Sequence, residues 1–142
     1  MTTNTESMNV FGLYATKGLL LASGLLAAGI AVTILFAPDA FYTSYGIDIG
    51  SNVNLANELK APAGVLLIAG LLMLTGVFRS GLVTASLATA TAIYLPYGLS
   101  RLLSMAIDGL PNSALVIAAV LEIAIGVVCL FGLVRLRRAT TD

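Results

Sequence analysis

From Gly18 to Ala37 the chain runs for 20 residues without a charged side chain, and that length constrains the fold more than any motif. At about 1.5 Å per residue, a helix of this size crosses a hydrocarbon core of roughly 30 Å. Within that core every backbone N–H and C=O has to be bonded inside the segment, which leaves helices as the solution for isolated apolar runs. Three more runs follow: Ala61 to Phe78 carries no charge, Leu82 to Ile107 carries only Arg101, and Ala114 to Leu133 carries only Glu122. The sequence therefore predicts an all-α integral membrane protein, a four-helix bundle of antiparallel up-and-down topology with both termini on the same side. Its helices are expected over about 11–37, 54–78, 82–107 and 113–135, in one domain over 11–138, with polar tails at 1–10 and 139–142. A cleaved secretory signal is the rival reading of the first run, but the run is too long for one and only Lys17 flanks it.

Composition narrows the chemistry. Only 10% of residues are charged against 58% hydrophobic, far from the quarter or so of charged residues in soluble domains. Seven basic and seven acidic residues leave no net field to attract nucleic acid, which is set aside as a partner. No histidine is present, so the commonest metal ligand and general base are missing; no metal site and no cofactor are expected. The single cysteine, Cys129, lies in an apolar run and reads as a small packing residue.

Helix signals and breakers divide the chain. Pro38 ends the first span, and Pro38 to Asn54 is the one long connection, expected on the membrane surface with Phe36, Phe41, Tyr42 and Tyr45 at the level of the headgroups. Ser51 or Asn54 is a candidate cap for the second span. Pro62 either kinks that helix beside Glu58 and Lys60 or sits near its first turn, and both placements are open. Arg79-Ser80-Gly81 is short enough to force an antiparallel hairpin, and Asp108 to Ser113 reads as a turn leading into the fourth span. Lys17, Arg79, Arg135, Arg137 and Arg138 share one side of this topology, where they read as topology anchors. The other side holds Asp39, Asp48, Glu58 and Asp108, with Lys60 as a snorkelling base. The positive-inside rule then makes both termini cytoplasmic in a multi-pass membrane protein.

Within the third span, Tyr94, Tyr97, Arg101, Ser104 and Asp108 recur at steps of three and four, so they form one polar stripe on a helix. In lipid such a stripe faces protein or a cavity. Measured from the turn near Leu110, Arg101 and Glu122 lie roughly 13 and 18 Å deep, close enough to pair across adjacent antiparallel helices. A lone charge at mid-membrane costs about 2.5 to 3.5 kcal/mol, which favours that pairing. The polar groups gather in one leaflet, which argues against a continuous aqueous channel. They predict instead a pocket lined by Tyr94, Tyr97, Arg101, Ser104 and Glu122, with Asp108 at its mouth and Glu58 entering from the same side on the second helix as a further candidate ligand contact, or a buried network of these charged groups that fixes helix register.

Several stretches carry a resemblance. Phe36-Ala37-Pro38, Tyr45-Gly46-Ile47, Asn57-Glu58-Leu59-Lys60-Ala61, Gly98-Leu99-Ser100-Arg101-Leu102-Leu103-Ser104, Asp108-Gly109 and the intramembrane Glu122 together resemble a family of small bacterial four-helix membrane proteins classed as a domain of unknown function, number 4345. The likeness spans about residues 11–135. Where that family has a basic residue, a glycine pair and a further glycine, this chain has Lys60 and then Ala61-Pro62-Ala63-Gly64. The resemblance implies the architecture and the polar positions and brings no reaction with it.

Two function classes follow. The simpler is a lipid or hydrophobic-ligand binding module, or an accessory subunit of a larger membrane complex; its candidate partners are the bilayer, a lipophilic small molecule, and another membrane protein or second copy. The alternative is a cofactor-free membrane enzyme for isomerisation, epoxide opening or cyclisation of a lipophilic substrate. In it Glu122 serves as acid or base, Arg101 or a tyrosine stabilises developing negative charge, and Asp108 is a further candidate catalytic group. Proton-coupled transport through Glu122 has no second pocket in the opposite leaflet to support it.

Overall fold

A computed structural model describes residues 10–138. The tail expected at 1–10 lies, apart from Val10, outside the described residues, as does the one at 139–142. The order of elements is α1 (Val10–Phe36), α2 (Pro38–Thr43), α3 (Val53–Phe78), a single 3-10 turn (Ser80–Leu82), α4 (Val83–Asp108) and α5 (Ser113–Arg138). The four long helices are each apolar and long enough to cross a membrane. Leu25, Val65, Ile68, Leu103, Ile107, Val120 and Phe131 are exposed on the outside of the bundle, where lipid is the matching solvent. The protein is a membrane-embedded all-α bundle.

Helices in lipid gain little from hydrophobic burial against one another, so close packing of small residues has to hold them together. Two such seams are present. Between α1 and α3, a Cβ added to Gly70 would lie 2.8 Å from the Ala28 backbone nitrogen and 2.9 Å from the Gly24 carbonyl oxygen. Between α4 and α5, one added to Gly98 would lie 2.5 Å from Ile123 Cγ1 and 3.0 Å from its backbone nitrogen, and one on Gly126 would lie 2.9 Å from the Leu95 nitrogen. These contacts fix the register: positions 24 and 28 of α1 meet 70 of α3, and 95 and 98 of α4 meet 126 and 123 of α5. Both pairs are antiparallel. The α1–α3 and α4–α5 pairs make the most extensive contacts, α3 and α4 join them, and α1 touches α5 only slightly.

The core is uneven along the bundle axis. Toward the end that holds Val10 and Arg138, Leu20, Met73, Val83, Leu87, Cys129, Leu133 and Leu136 are buried in direct packing. Polar atoms there are satisfied locally: Ser86 Oγ donates to the Leu72 carbonyl at 2.8 Å and Ser23 Oγ to the Leu19 carbonyl at 2.8 Å. Toward the other end the helices surround a cavity.

Two local expectations resolve here. The helix α3 is capped by Asn52, whose side chain accepts from the Leu55 N–H at 3.0 Å, rather than by Ser51 or Asn54. Starting at Val53, it places Pro62 well inside the helix, where the ring withholds a donor from the Glu58 carbonyl. The long connection does more than lie on a surface. After α2, Gly46 and Gly50 turn the chain with φ of 77° and 54°, and Ile49 is buried at 4% exposure, so the segment folds back over the hollow end of the bundle.

Candidate functional site

The cavity has a volume of about 270 Å³ and draws on all five helices. Its apolar wall comes from Ala27, Ile30 and Ile34 of α1, Leu59, Pro62, Ala63 and Leu66 of α3, Ile93 of α4, and Leu115 and Ala118 of α5. Its polar end is made by Tyr94, Tyr97 and Arg101 of α4, Glu122 of α5, and Tyr42 and Tyr45 from the folded-back segment, with Phe41 and Ile47 beside them. At the lower margin of the usual range for small-molecule sites, this volume suits a compact molecule or one section of a longer one.

Arg101 and Glu122 meet inside it. Arg101 Nε donates to Glu122 Oε2 at 2.9 Å, with side-chain exposures of 34% and 17%. The pairing arises because the Gly98–Ile123 seam brings α4 and α5 together one turn away, and because the opposite charges in their own helices, Asp108 in α4 and Arg135, Arg137 and Arg138 in α5, lie seven or more residues along the chain. The bond uses only Nε and only one carboxylate oxygen. Both Nη groups and Oε1 have no hydrogen-bond partner among the described residues, although the cavity is lined by both side chains.

The tyrosines divide into two roles. Tyr94 is buried, and its hydroxyl donates to the Ser23 carbonyl at 2.6 Å, tying α4 to α1 at the floor of the cavity. Tyr42, Tyr45 and Tyr97 line the cavity with hydroxyls that have no partner among the described residues. They lie near one another and near Arg101. Burial pushes the Tyr42 phenol above its ordinary value of 10.0; the Tyr97 and Tyr45 phenols act in the same direction, and the Arg101 guanidinium opposes them. Tyr42 is thus a neutral hydroxyl donor throughout the physiological range.

The folded-back segment is held by few bonds. Phe41 packs edge-on against both Tyr42 and Tyr45, each with ring centroids 5.2 Å apart. Asn112 Nδ2 donates to the Tyr45 carbonyl at 2.7 Å, while Asn112 Oδ1 accepts from the Leu115 N–H at 3.1 Å and so caps α5. One side chain therefore secures both the segment and the start of the last span.

Not every residue of the sequence stripe reaches the cavity. Tyr94, Tyr97 and Arg101 line it, whereas Ser104 and Asp108 are exposed beyond its edge, where Ser104 Oγ donates to Asp108 Oδ2 at 3.0 Å. Glu58 is exposed and does not line the cavity either. Lys60 and Arg79 lie away from it. Arg135, Arg137 and Arg138 occupy the last turn of α5, where cations offset the helix dipole, and the Arg135 guanidinium stacks 4.5 Å from the Phe131 ring centroid. Sequence reasoning placed Phe41, Tyr42 and Tyr45 at the interface and did not assign them to the site. Their close spacing, three aromatic rings within five residues of the chain, was the available signal. Among the described residues no cluster of His, Cys, Asp and Glu is arranged to hold a metal ion.

The family described as "Domain of unknown function (DUF4345)" matches residues 15–133, which covers every residue that lines the cavity. No curated protein and no solved structure matches the chain.

Proposed function

We propose that this chain, which belongs to the DUF4345 family, is a lipophile-binding module of a bacterial inner membrane. The observation that carries the reading is the cavity itself: apolar on most of its wall, polar at one end, and lined there by the segment that joins α1 to α3. A network that only fixed register would be expected to pack without such a hollow. The basic residues Lys17, Arg79, Arg135, Arg137 and Arg138 at one end of the bundle support cytoplasmic termini, which puts the cavity in the outer leaflet.

The test is native mass spectrometry of protein extracted from its own membrane in mild detergent, comparing the wild type with Ala118→Leu, which fills the cavity from its apolar wall. A small molecule retained by the wild type and lost from the variant is expected. Identical retention in both proteins, or a stoichiometric protein partner with no small molecule, would overturn the reading; the second result would make the chain an accessory subunit.

A second reading is favoured by one atom. Glu122 lines a mostly apolar cavity together with Tyr42, Tyr45 and Tyr97, and its Oε1 has no hydrogen-bond partner among the described residues, an arrangement suited to moving a proton on a bound lipophile. On that reading the chain is a cofactor-free isomerase or cyclase, and Glu122→Gln abolishes turnover of the retained molecule while leaving its retention intact.

A further inference from the structure

Resting on the reading of the cavity as a lipophile site, we infer that its ligand is electrically neutral and carries a carbonyl or equivalent hydrogen-bond acceptor, which Arg101, Tyr42, Tyr45 and Tyr97 receive.

Charge balance gives the first half. Among the described residues Arg101 and Glu122 are the only charged ones that line the cavity, and they are in contact at 2.9 Å. The site is already neutral. A carboxylate, phosphate or sulfonate head would add an uncompensated negative charge in a region of low dielectric, and an ammonium head an uncompensated positive one; each pays the desolvation of a charge without a counter-ion. Anionic lipid heads are better served at the other end of α5, where several arginines follow one another.

Donor and acceptor counts give the second half. Arginine has donors only, and here the N–H groups on both Nη nitrogens remain after Nε is used. The hydroxyls of Tyr42, Tyr45 and Tyr97 add further donors without partners, whereas Tyr94 is occupied by the Ser23 carbonyl. Among the described residues Glu122 Oε1 is the one side-chain atom lining the cavity that can only accept and has no partner, since each phenol oxygen can give a hydrogen bond as well as take one. A ligand that accepts hydrogen bonds satisfies both the phenols and the guanidinium; one that only donates leaves the Arg101 Nη groups unmatched. The apolar wall, from α1, α3 and α5, then takes the hydrocarbon part.

Three probes of equal chain length separate the possibilities: 2-undecanone, undecane and undecyl sulfonate, each presented to the full protein at the same mole fraction in detergent micelles. Occupancy is read by native mass spectrometry and checked by the rise in unfolding midpoint. The ketone is expected to bind about five- to tenfold more tightly than undecane, the equivalent of one net hydrogen bond, and at least about tenfold more tightly than the sulfonate. Tyr97→Phe and Tyr42→Phe, which delete hydroxyls without partners, are expected to narrow the ketone's advantage over undecane. If the sulfonate binds most tightly, the neutral-ligand inference falls and the lipophile reading stands. If undecane matches the ketone in the wild type, recognition at the polar end falls and the lipophile reading again stands. If none of the three binds, both fall.

Discussion

Replacing Gly98 with alanine should loosen the seam on which the Arg101–Glu122 pair depends. The new Cβ would lie 2.5 Å from Ile123 Cγ1, 3.0 Å from the Ile123 nitrogen and 3.3 Å from the Ala119 carbonyl oxygen, where ordinary contact begins at 3.4 Å. Ile123 can turn its side chain, but its backbone nitrogen cannot move without moving α5, so the two helices have to part by several tenths of an ångström. Overpacking of this kind costs about 1 to 3 kcal/mol. Alanine's better helix propensity returns up to about 1 kcal/mol, leaving a net loss of about 1 to 2 kcal/mol. Arg101 is one turn from Gly98 and Glu122 is next to Ile123, so the same widening stretches a 2.9 Å bond toward the limit of useful geometry. The assay is SDS-induced unfolding in mixed micelles, followed by circular dichroism. Gly29→Ala, with nothing within 4 Å of its new Cβ, and Gly132→Ala, whose Cβ meets only Leu87 side-chain atoms at 3.5 and 3.6 Å, serve as controls. Both are expected at or slightly above wild-type stability. A Gly98→Ala protein as stable as those controls would refute the claim that this seam sets the α4–α5 distance.

Other expectations follow from the same contacts. Glu122→Gln leaves the Arg101 charge without its counter-ion and should destabilise by about 1 to 3 kcal/mol, less than a fully buried pair because Arg101 keeps a third of its exposure; Arg101→Leu combined with Glu122→Leu should recover most of that in a double-mutant cycle. Tyr94→Phe removes the bond to the Ser23 carbonyl and should cost about 1 kcal/mol in the same unfolding assay, with the helical content unchanged. Asn112→Ala loses both a cap and the tie to Tyr45, so hydrogen exchange should accelerate over residues 41–47 and in the first turn of α5, with about 1 kcal/mol lost. The Tyr42 phenol is raised above 10.0, so below that pH it is protonated in folded and unfolded chains alike and adds no pH dependence. Above it the unfolded chain loses its proton first, and stability falls as pH rises toward the folded value. Ultraviolet titration of phenolate should lose part of its late-titrating amplitude in Tyr42→Phe.

The legible parts of the fold were those that a bilayer enforces. Charge-free length identified the spans, and the cost of an isolated charge in lipid was reason enough for Arg101 and Glu122 to meet. Periodicity put Tyr94, Tyr97, Arg101, Ser104 and Asp108 on one face, but a stripe has no marker for where a cavity stops, and Ser104 and Asp108 run past its edge to bond one another. Glu58 had a plausible depth and no signal for its direction. The folded-back segment was hardest to read because its anchors, Ile49 and the Asn112–Tyr45 bond, are contacts between distant parts of the chain that follow no repeat. The α3 cap illustrates a smaller version of the difficulty: Ser51, Asn52 and Asn54 are all suitable residue types, and only geometry distinguishes them.

The division of the bundle into an α1–α3 pair and an α4–α5 pair bears on how the chain tolerates being cut. A break in the Ser80–Leu82 turn yields two fragments, each with a complete antiparallel hairpin and its own glycine seam, so each is equipped to insert by itself. The recognition groups are shared across that break, with Tyr42 and Tyr45 on the first fragment and Tyr97, Arg101 and Glu122 on the second. Co-expressed fragments should complement one another only by docking. Damage to the surface between the hairpins will therefore appear as lost recognition while both fragments still reach the membrane.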